Sequence, residues 1–446
     1  MLTVIDLFSG CGGLSEGLMQ VGLPQSRDAE LLPSGLLPQE SLLKLDIEDE
    51  TPKYEILAHV EWELLMVRTL RANLVERWGH SADDALRRVV HFDIQKTTEL
   101  MTGHAEDAEL CTAYKNHDDV RARGLRGLVG EKAVDIIVGG PPCQAFSLAL
   151  RSNENIQNDY RNYLFESFAK VVSELKPRLF VFENVEGLLS ARPGGQAATQ
   201  LIYDHFAEIG YQILPPKDFK RALFDLSNFG VPQRRKRVII IGLKKAEHQD
   251  ALADLQLLYE QLNAGRRYGE TDESDSAQNN FDFEHQSLLS MSPKTFRDAT
   301  SDLTKACHNH KDPHHRPRRQ NERDRNIFRD WLKMKMDERS SEERLRFYNE
   351  RLQKQSKHIK YRSLAWDRPA PTVVAHLYKD GLMFIHPDST QARTITAREA
   401  SLLQSFPPSY IFPEAMSVTF KMIGNAVPPL FARRLGEVLY NFLAER

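Results

Sequence analysis

Cysteine is scarce, with four in 446 residues. That excludes a disulfide framework and fits a reducing compartment. No apolar run approaches the roughly 18 residues needed to cross a bilayer, which excludes a membrane-spanning helix. Charge of one sign is missing too: 59 Lys+Arg against 62 Asp+Glu leave a net charge of −3, so the chain as a whole is no polycation. Its start, Met1 to Phe8, has neither a basic segment nor a small-residue cleavage site. It reads as a first strand rather than a signal peptide, and the cytoplasm is the expected location, with no membrane partner.

What is present is ordinary globular composition, 41% hydrophobic and 27% charged, at a length that holds two or more domains. Val134, Ile136, Ile137 and Val138 form a β-branched run that stops at Gly139-Gly140-Pro141-Pro142-Cys143. The two prolines fix φ and remove two donors, so neither strand nor helix continues. A thiol on a stiff loop at a strand end suits a nucleophile, although a single cysteine is also a common core residue. Leu2 to Phe8, the first strand, is followed by Ser9-Gly10-Cys11-Gly12-Gly13 and a helix, as in the opening of a doubly wound α/β domain. These glycines serve either a ligand or packing. Further strands end in Glu61-Trp62, in Asp93-Ile94 and in Glu183-Asn184. Ligands of open α/β sheets lie beyond the carboxyl ends of the strands, so this convergence marks a site.

The stretches 24–54 and 97–130 read as surface inserts. Gln233 to Arg237 is a basic cluster that leads into a buried strand. From about Lys244 the composition shifts, and Gly269 to Asn280 reads as a polar loop. Between Lys305 and Arg362, 18 Lys+Arg stand against 9 Asp+Glu, interleaved with Phe328, Trp331, Phe347, Tyr348 and Tyr361. This pattern suits phosphate contacts or, more plainly, an exposed charged helix pair. Cys307 and His310, His314 and His315 lack a second cysteine pair and sit among arginines, so no metal is expected. Arg368 to Thr372 and Phe384 to Pro387 are expected to bracket a hairpin.

Six stretches, in order, resemble the motifs of the bacterial-type DNA (cytosine-5)-methyltransferase family. They are Asp6 to Gly13, Gly139 to Gln144, Glu183 to Val185, Gln233 to Arg237, Arg398-Glu399 with Gln404 to Pro407, and Gly424 to Pro428. The resemblance implies an α/β fold: a SAM-dependent methyltransferase Rossmann-like domain with a smaller target-recognition domain. It places the catalytic domain at 1–243, target recognition at 244–418, and a returning segment at 419–446. The two inserts depart from the pattern and leave partners and regulation unassigned.

The family's chemistry implies that the Cys143 thiolate adds to C6 of a cytosine while Glu183, carrying a proton, hydrogen-bonds N3. Asn184 would position the loop or the base. Arg235 and Arg237 would lie near the glutamate and the cytosine O2; which of them contacts the base is open. For S-adenosyl-L-methionine, the resemblance assigns Phe8, Gly10, Cys11 and Gly12 to the surroundings of methionine and adenine, and Glu61 to the ribose hydroxyls. Trp62 would lie against the adenine, Asp93 and Ile94 at its edge, Pro142 and Leu164 near it, and Asn425 would close the pocket. The substrate implied is double-stranded DNA with the cytosine flipped out, and the loop Ser147 to Asp159 is the candidate cover. A cognate restriction endonuclease acting separately and a monomeric enzyme are the family expectation. Two alternatives use the same motifs: an RNA (tRNA) cytosine-5 methyltransferase and a catalytically inactive DNA-binding homologue. The basic segment argues against the first, and the presence of Cys143, Glu183 and Arg237 against the second.

Overall fold

The structure is a computed structural model and describes residues 1–23, 51–141, 164–264 and 293–444, except 304, 308, 380–382 and 414. Cys143, Pro142, the loop Ser147 to Asp159, the stretch Gly269 to Asn280 and most of the 24–54 insert lie outside the described residues.

Continuous apolar runs make strands that are buried on both faces, and here they stack into one sheet. Its strands are β1 (Leu2–Leu7), β2 (Tyr54–Glu61), β3 (Val89–His91), β4 (Ile136–Gly139), β5 (Leu179–Val185), β6 (Tyr211–Gln212), β7 (Leu223–Asp225) and β9 (Lys236–Lys244). The short β8 (Gln233–Arg234) stands outside it. The order is β3-β2-β1-β4-β5-β9-β6, with β7 beside β9. From β3 to β5 all neighbours are parallel; β9 runs antiparallel to β5, β6 and β7. The strand order reverses between β1 and β4, which opens a crevice at their carboxyl ends.

Helices close both faces. Leu164–Leu175 buries Leu164, Phe165, Phe168, Ala169, Val171 and Val172, the stripe its period dictates. Phe168 lies edge-on to Phe180 and Phe182, while Phe180 stacks on Phe206 at 4.1 Å. The final helix, Pro429–Ala444, returns to pack on the first, Gly13–Met19. A Cβ on Gly17 would come within 2.3 Å of the Pro429 carbonyl, so only glycine permits this approach. Ala251–Ala264 also joins this main core through Leu255, Leu258, Tyr259 and Leu262. The boundary at 244 that the resemblance implies falls just before this helix. The insert 97–130 is three helices, Thr97–Thr102, Ala108–Tyr114 and Asp118–Val129.

A second core gathers Phe296, Leu364, Val373, Phe384, Ile395, Leu403, Phe406, Tyr410, Phe412 and Phe420, and runs into the first body through Cys11 and Met66. A third is a helix pair, Glu322–Lys333 and Ser341–Leu352. Phe328, Trp331, Phe347, Tyr348 and Tyr361 are its interior. These aromatics therefore hold the pair together and do not face a ligand, while Arg339, Arg346, Arg351, Lys354 and Lys357 face out. The expected hairpin is replaced by two parallel pairings: β10 (Arg362–Ser363) with β12 (Met383–Ile385), and β11 (Ala370–Pro371) with β8. Pairing with the distant β8 satisfies backbone groups that a local turn was expected to satisfy. Among the described residues, no helix is long and apolar enough to cross a membrane.

Candidate active site

The crevice is built from loops at the ends of β1, β2, β3, β4 and β5. After β1 the chain turns through Phe8 (φ 55°), Gly10 (φ 55°) and Gly12 (φ 87°). The glycines divide into two uses. Among the described residues, a Cβ on Gly10 meets nothing within 4 Å, so they leave space over that backbone. A Cβ on Gly12 would meet Leu70 Cδ2 at 2.5 Å, and one on Gly13 the Val427 carbonyl at 2.1 Å, so these two serve packing. The Cys11 side chain is turned into the second core, with Sγ 3.6 Å from the Met422 carbonyl, while its backbone stays in the turn. Burial pushes its thiol far up, as suits a packing residue. The Tyr410 hydroxyl donates to the Cys11 carbonyl and pins the turn.

Glu61 ends β2 against this turn. Its carboxylate accepts the Gly10 N–H at 2.7 Å and the Glu63 N–H at 2.7 Å, which fixes its direction. Burial raises its pKa from 4.5 to about 7, and the two N–H bonds offset only part of that. Trp62, next in the chain, is 59% exposed, and Asn425 at the end of the helix Met416–Asn425 is also exposed. Asp93 is half-buried and accepts the Gln95 N–H; Ile94 and Leu164 are buried. An open turn, a fixed carboxylate, an exposed indole and an exposed amide are groups that suit the diol and ring of a nucleoside.

Glu183 and Arg237 meet at the far side of the crevice. In the antiparallel pairing Glu183 faces Ile239, so Arg237 is its diagonal neighbour on the same face. Arg237 Nε lies 2.7 Å from Glu183 Oε1. A Cβ on Gly140 would sit 2.7 Å from Glu183 Oε2, so that glycine, two residues past the end of the apolar run, makes room for the carboxyl. The glycine pair in the sequence was its signal. Asn184 is buried and accepts the Val185 N–H through its own Oδ1.

Arg235 goes elsewhere. Strand pairing is interrupted at Arg235, between β8 and β9, and the buried Arg235 guanidinium donates to the Val373, Gly424 and Ala426 carbonyls at 3.0, 2.9 and 3.1 Å. Gln233 likewise accepts the Val373 N–H and donates to Gln404. The Gln233 to Arg237 stretch thus ties the sheet to the second body at two residues and reaches the crevice at a third. Of the histidines, His314 and His315 are buried, with His315 Nδ1 3.0 Å from the Thr396 hydroxyl. Cys307 is exposed, and among the described residues no His, Cys, Asp or Glu side chains gather as a metal site.

A mostly parallel sheet with helices on both faces and a crevice at the strand reversal is the architecture of a Rossmann-like methyltransferase fold. The chain belongs to the C-5 cytosine-specific DNA methylase family, whose model matches residues 106–441. It is 30% identical to a type II methyltransferase, M.Bpa9945I of Bacillus paralicheniformis, over 97% of each chain. It is 26% identical to type II methyltransferase M1.HphI of Haemophilus parahaemolyticus, over 98% of this chain and 86% of that one. In fold it is similar to a solved E. coli structure described as a DNA modification methyltransferase encoded within a prophage (TM-score 0.52, 22% identity, 100% of both chains).

Proposed function

We propose that this chain methylates C5 of a flipped-out cytosine within a specific short sequence of duplex DNA, through a covalent bond between Cys143 and C6. The observation that carries the reading is the Glu183–Arg237 pair held against Gly140, directly upstream of Pro141-Pro142-Cys143. C5 of cytosine is too weak a nucleophile to be alkylated unaided. Addition of the Cys143 thiolate to C6 makes C5 enamine-like, and the Glu183 carboxyl takes up charge at N3. Arg237 holds that carboxyl in place. Once C5 carries the methyl group, a base removes the C5 proton and the Cys143 thiolate departs from C6. S-adenosyl-L-methionine supplies an electrophilic methyl group; Gly10, Glu61, Trp62, Asp93 and Asn425 are the residues that would hold it. Asn184, buried, shapes the end of β5. The recognition domain begins after Ala264 in this reading, since the helix before it packs in the main core. Type II relatives support a modification role, with or without a separate endonuclease.

The test is bisulfite sequencing of DNA from a methylation-free host that expresses the chain, beside Cys143→Ala. One short motif protected by the wild type alone is the expected result. Methyl transfer to transcribed tRNA and none to duplex DNA would favour the RNA alternative, and a soluble protein that transfers to neither would favour the inactive one.

The raised Glu61 carboxyl gives the cofactor site a pH signature. Ionised Glu61 accepts two ribose hydroxyls; protonated, it is the poorer acceptor. With its pKa at about 7, the ionised fraction rises from about a tenth at pH 6 to about nine tenths at pH 8. Affinity for S-adenosylhomocysteine, read by titration calorimetry, is expected to tighten about tenfold over that range. Glu61→Gln is expected to bind weakly and to flatten the profile. A wild-type affinity that does not change with pH would refute this role.

A further inference from the structure

The three-helix insert has no place in the motif pattern, yet part of it reaches the crevice. Its outer helices cross closely: a Cβ on Gly124 would lie 2.5 Å from the Leu100 carbonyl, and one on Gly103 2.6 Å from the Ala122 carbonyl. Between them the arm from His104 to Tyr114 is fastened at both ends to one ring. His104 lies 5.0 Å from Phe92 and Tyr114 4.4 Å from it. Phe92 directly follows β3 and precedes Asp93. Tyr114 also lies edge-on to His91 at 5.6 Å, and His91 Nε2 is 2.9 Å from the Trp62 carbonyl. Trp62, His91, Tyr114 and Asp93 therefore form one contiguous border. Tyr114 is only half-buried. Tyr114 thus packs on the residue that directly precedes Asp93, and burial, then the Asp93 charge, push its phenol up. The arm exposes Glu106, Asp107 and Glu109, a charge that would repel a phosphate and suits a ligand without one.

We propose that Tyr114 is a cofactor-positioning residue: its ring forms the outer wall of the adenosine end of the pocket, beside Asp93 and opposite Trp62. The inference rests on the reading of Trp62 and Asp93 as adenosine contacts. An aromatic wall contributes a contact of the kind that changes affinity by up to about tenfold.

The experiment compares wild type, Tyr114→Ala, Tyr114→Phe and Trp62→Ala in the full chain, by calorimetric S-adenosylhomocysteine binding and by steady-state KM and kcat. Tyr114→Ala is expected to raise Kd and the KM for S-adenosylmethionine about tenfold, with kcat and the KM for DNA within about twofold. Tyr114→Phe, which keeps the ring, is expected to restore both to within about twofold of wild type. A Tyr114→Ala protein with wild-type affinity overturns the proposal, and so does a loss that Phe does not restore. A loss in kcat and in both KM values together, with a lowered melting temperature, marks a structural role and also overturns it. Tight binding by wild type that Trp62→Ala leaves unchanged overturns the underlying placement of the adenosine end, a result separate from an unchanged Tyr114→Ala.

Discussion

Arg237→Ala is expected to lose about 10²–10³-fold in kcat while it stays folded and still binds S-adenosylhomocysteine. Arg235→Ala is expected to do the reverse, with most of its loss in stability. Arg237 touches the crevice through Glu183 Oε1 at 2.7 Å, on strands whose register is fixed by seven paired residues from Leu179↔Leu243 to Val185↔Arg237. Removing it leaves the sheet intact and the carboxyl free to swing, and a misplacement of about 1 Å can cost about 10²-fold. Burial works against the Arg237 charge and Glu183 supports it, so the pair is held by its own geometry. Among the described residues, Arg235 makes no salt bridge to a carboxylate. Its guanidinium, pushed down by burial and by Arg237, bridges three carbonyls of segments far apart in sequence. Alanine there leaves the Val373 and Gly424 carbonyls without this donor, at about 1 kcal/mol or more each, while the Ala426 carbonyl keeps the Gln404 side-chain amide. Relief of a buried charge offsets part of that. Urea unfolding, S-adenosylhomocysteine binding and methyl incorporation separate the two variants. Equal losses of turnover at unchanged stability would show that both arginines act in the crevice.

The local signals reached some of this and not the rest. Strands such as Leu179–Val185 were legible because an unbroken apolar run of that length fits a strand buried on both faces. So were the residues at their ends, since a doubly wound sheet gathers them. Long-range pairing was not legible. Nothing near Ala370 says that its partner is Gln233, and a local hairpin was the simpler expectation. The aromatics from Phe328 to Tyr361 look from spacing alone like a surface mixed with cations; only the fold of the helix pair turns them inward. The two arginines of one motif look alike in sequence. Their separation depends on an interruption of strand pairing between β8 and β9 that carries no residue signature. The insert, charged and built of short helices, has too little period to announce that one of its rings lies beside Asp93.

A buried polar pair also went unannounced, and it should dominate stability. Asp6 and His59 are register partners on β1 and β2, both 0% exposed, with His59 Nδ1 3.6 Å from Asp6 Oδ2. Neither carboxylate oxygen and neither ring nitrogen has another protein hydrogen-bond partner among the described residues. Such a pair gains little over an apolar one, yet removal of one member strands the other in the core. Asp6→Val and His59→Leu are each expected to cost about 3–5 kcal/mol in reversible urea unfolding, while the double variant returns to within about 1 kcal/mol of wild type or exceeds it. The cycle is decisive because the alternatives differ in sign: losses that add in the double variant would mean that each residue is held by something other than its partner. The double variant also asks what the pair does for the site. The Ser9 hydroxyl donates to the Asp6 backbone carbonyl at 2.7 Å, and the Gly12 N–H to the Ser9 carbonyl at 2.8 Å, so backbone groups, not the Asp6 carboxylate, shape the turn. S-adenosylhomocysteine affinity in the double variant should therefore stay within about twofold of wild type, well under the 1.4 kcal/mol of a tenfold change. A larger loss would mean that the polar pair holds the cofactor turn, and that its cost to the core is retained for binding.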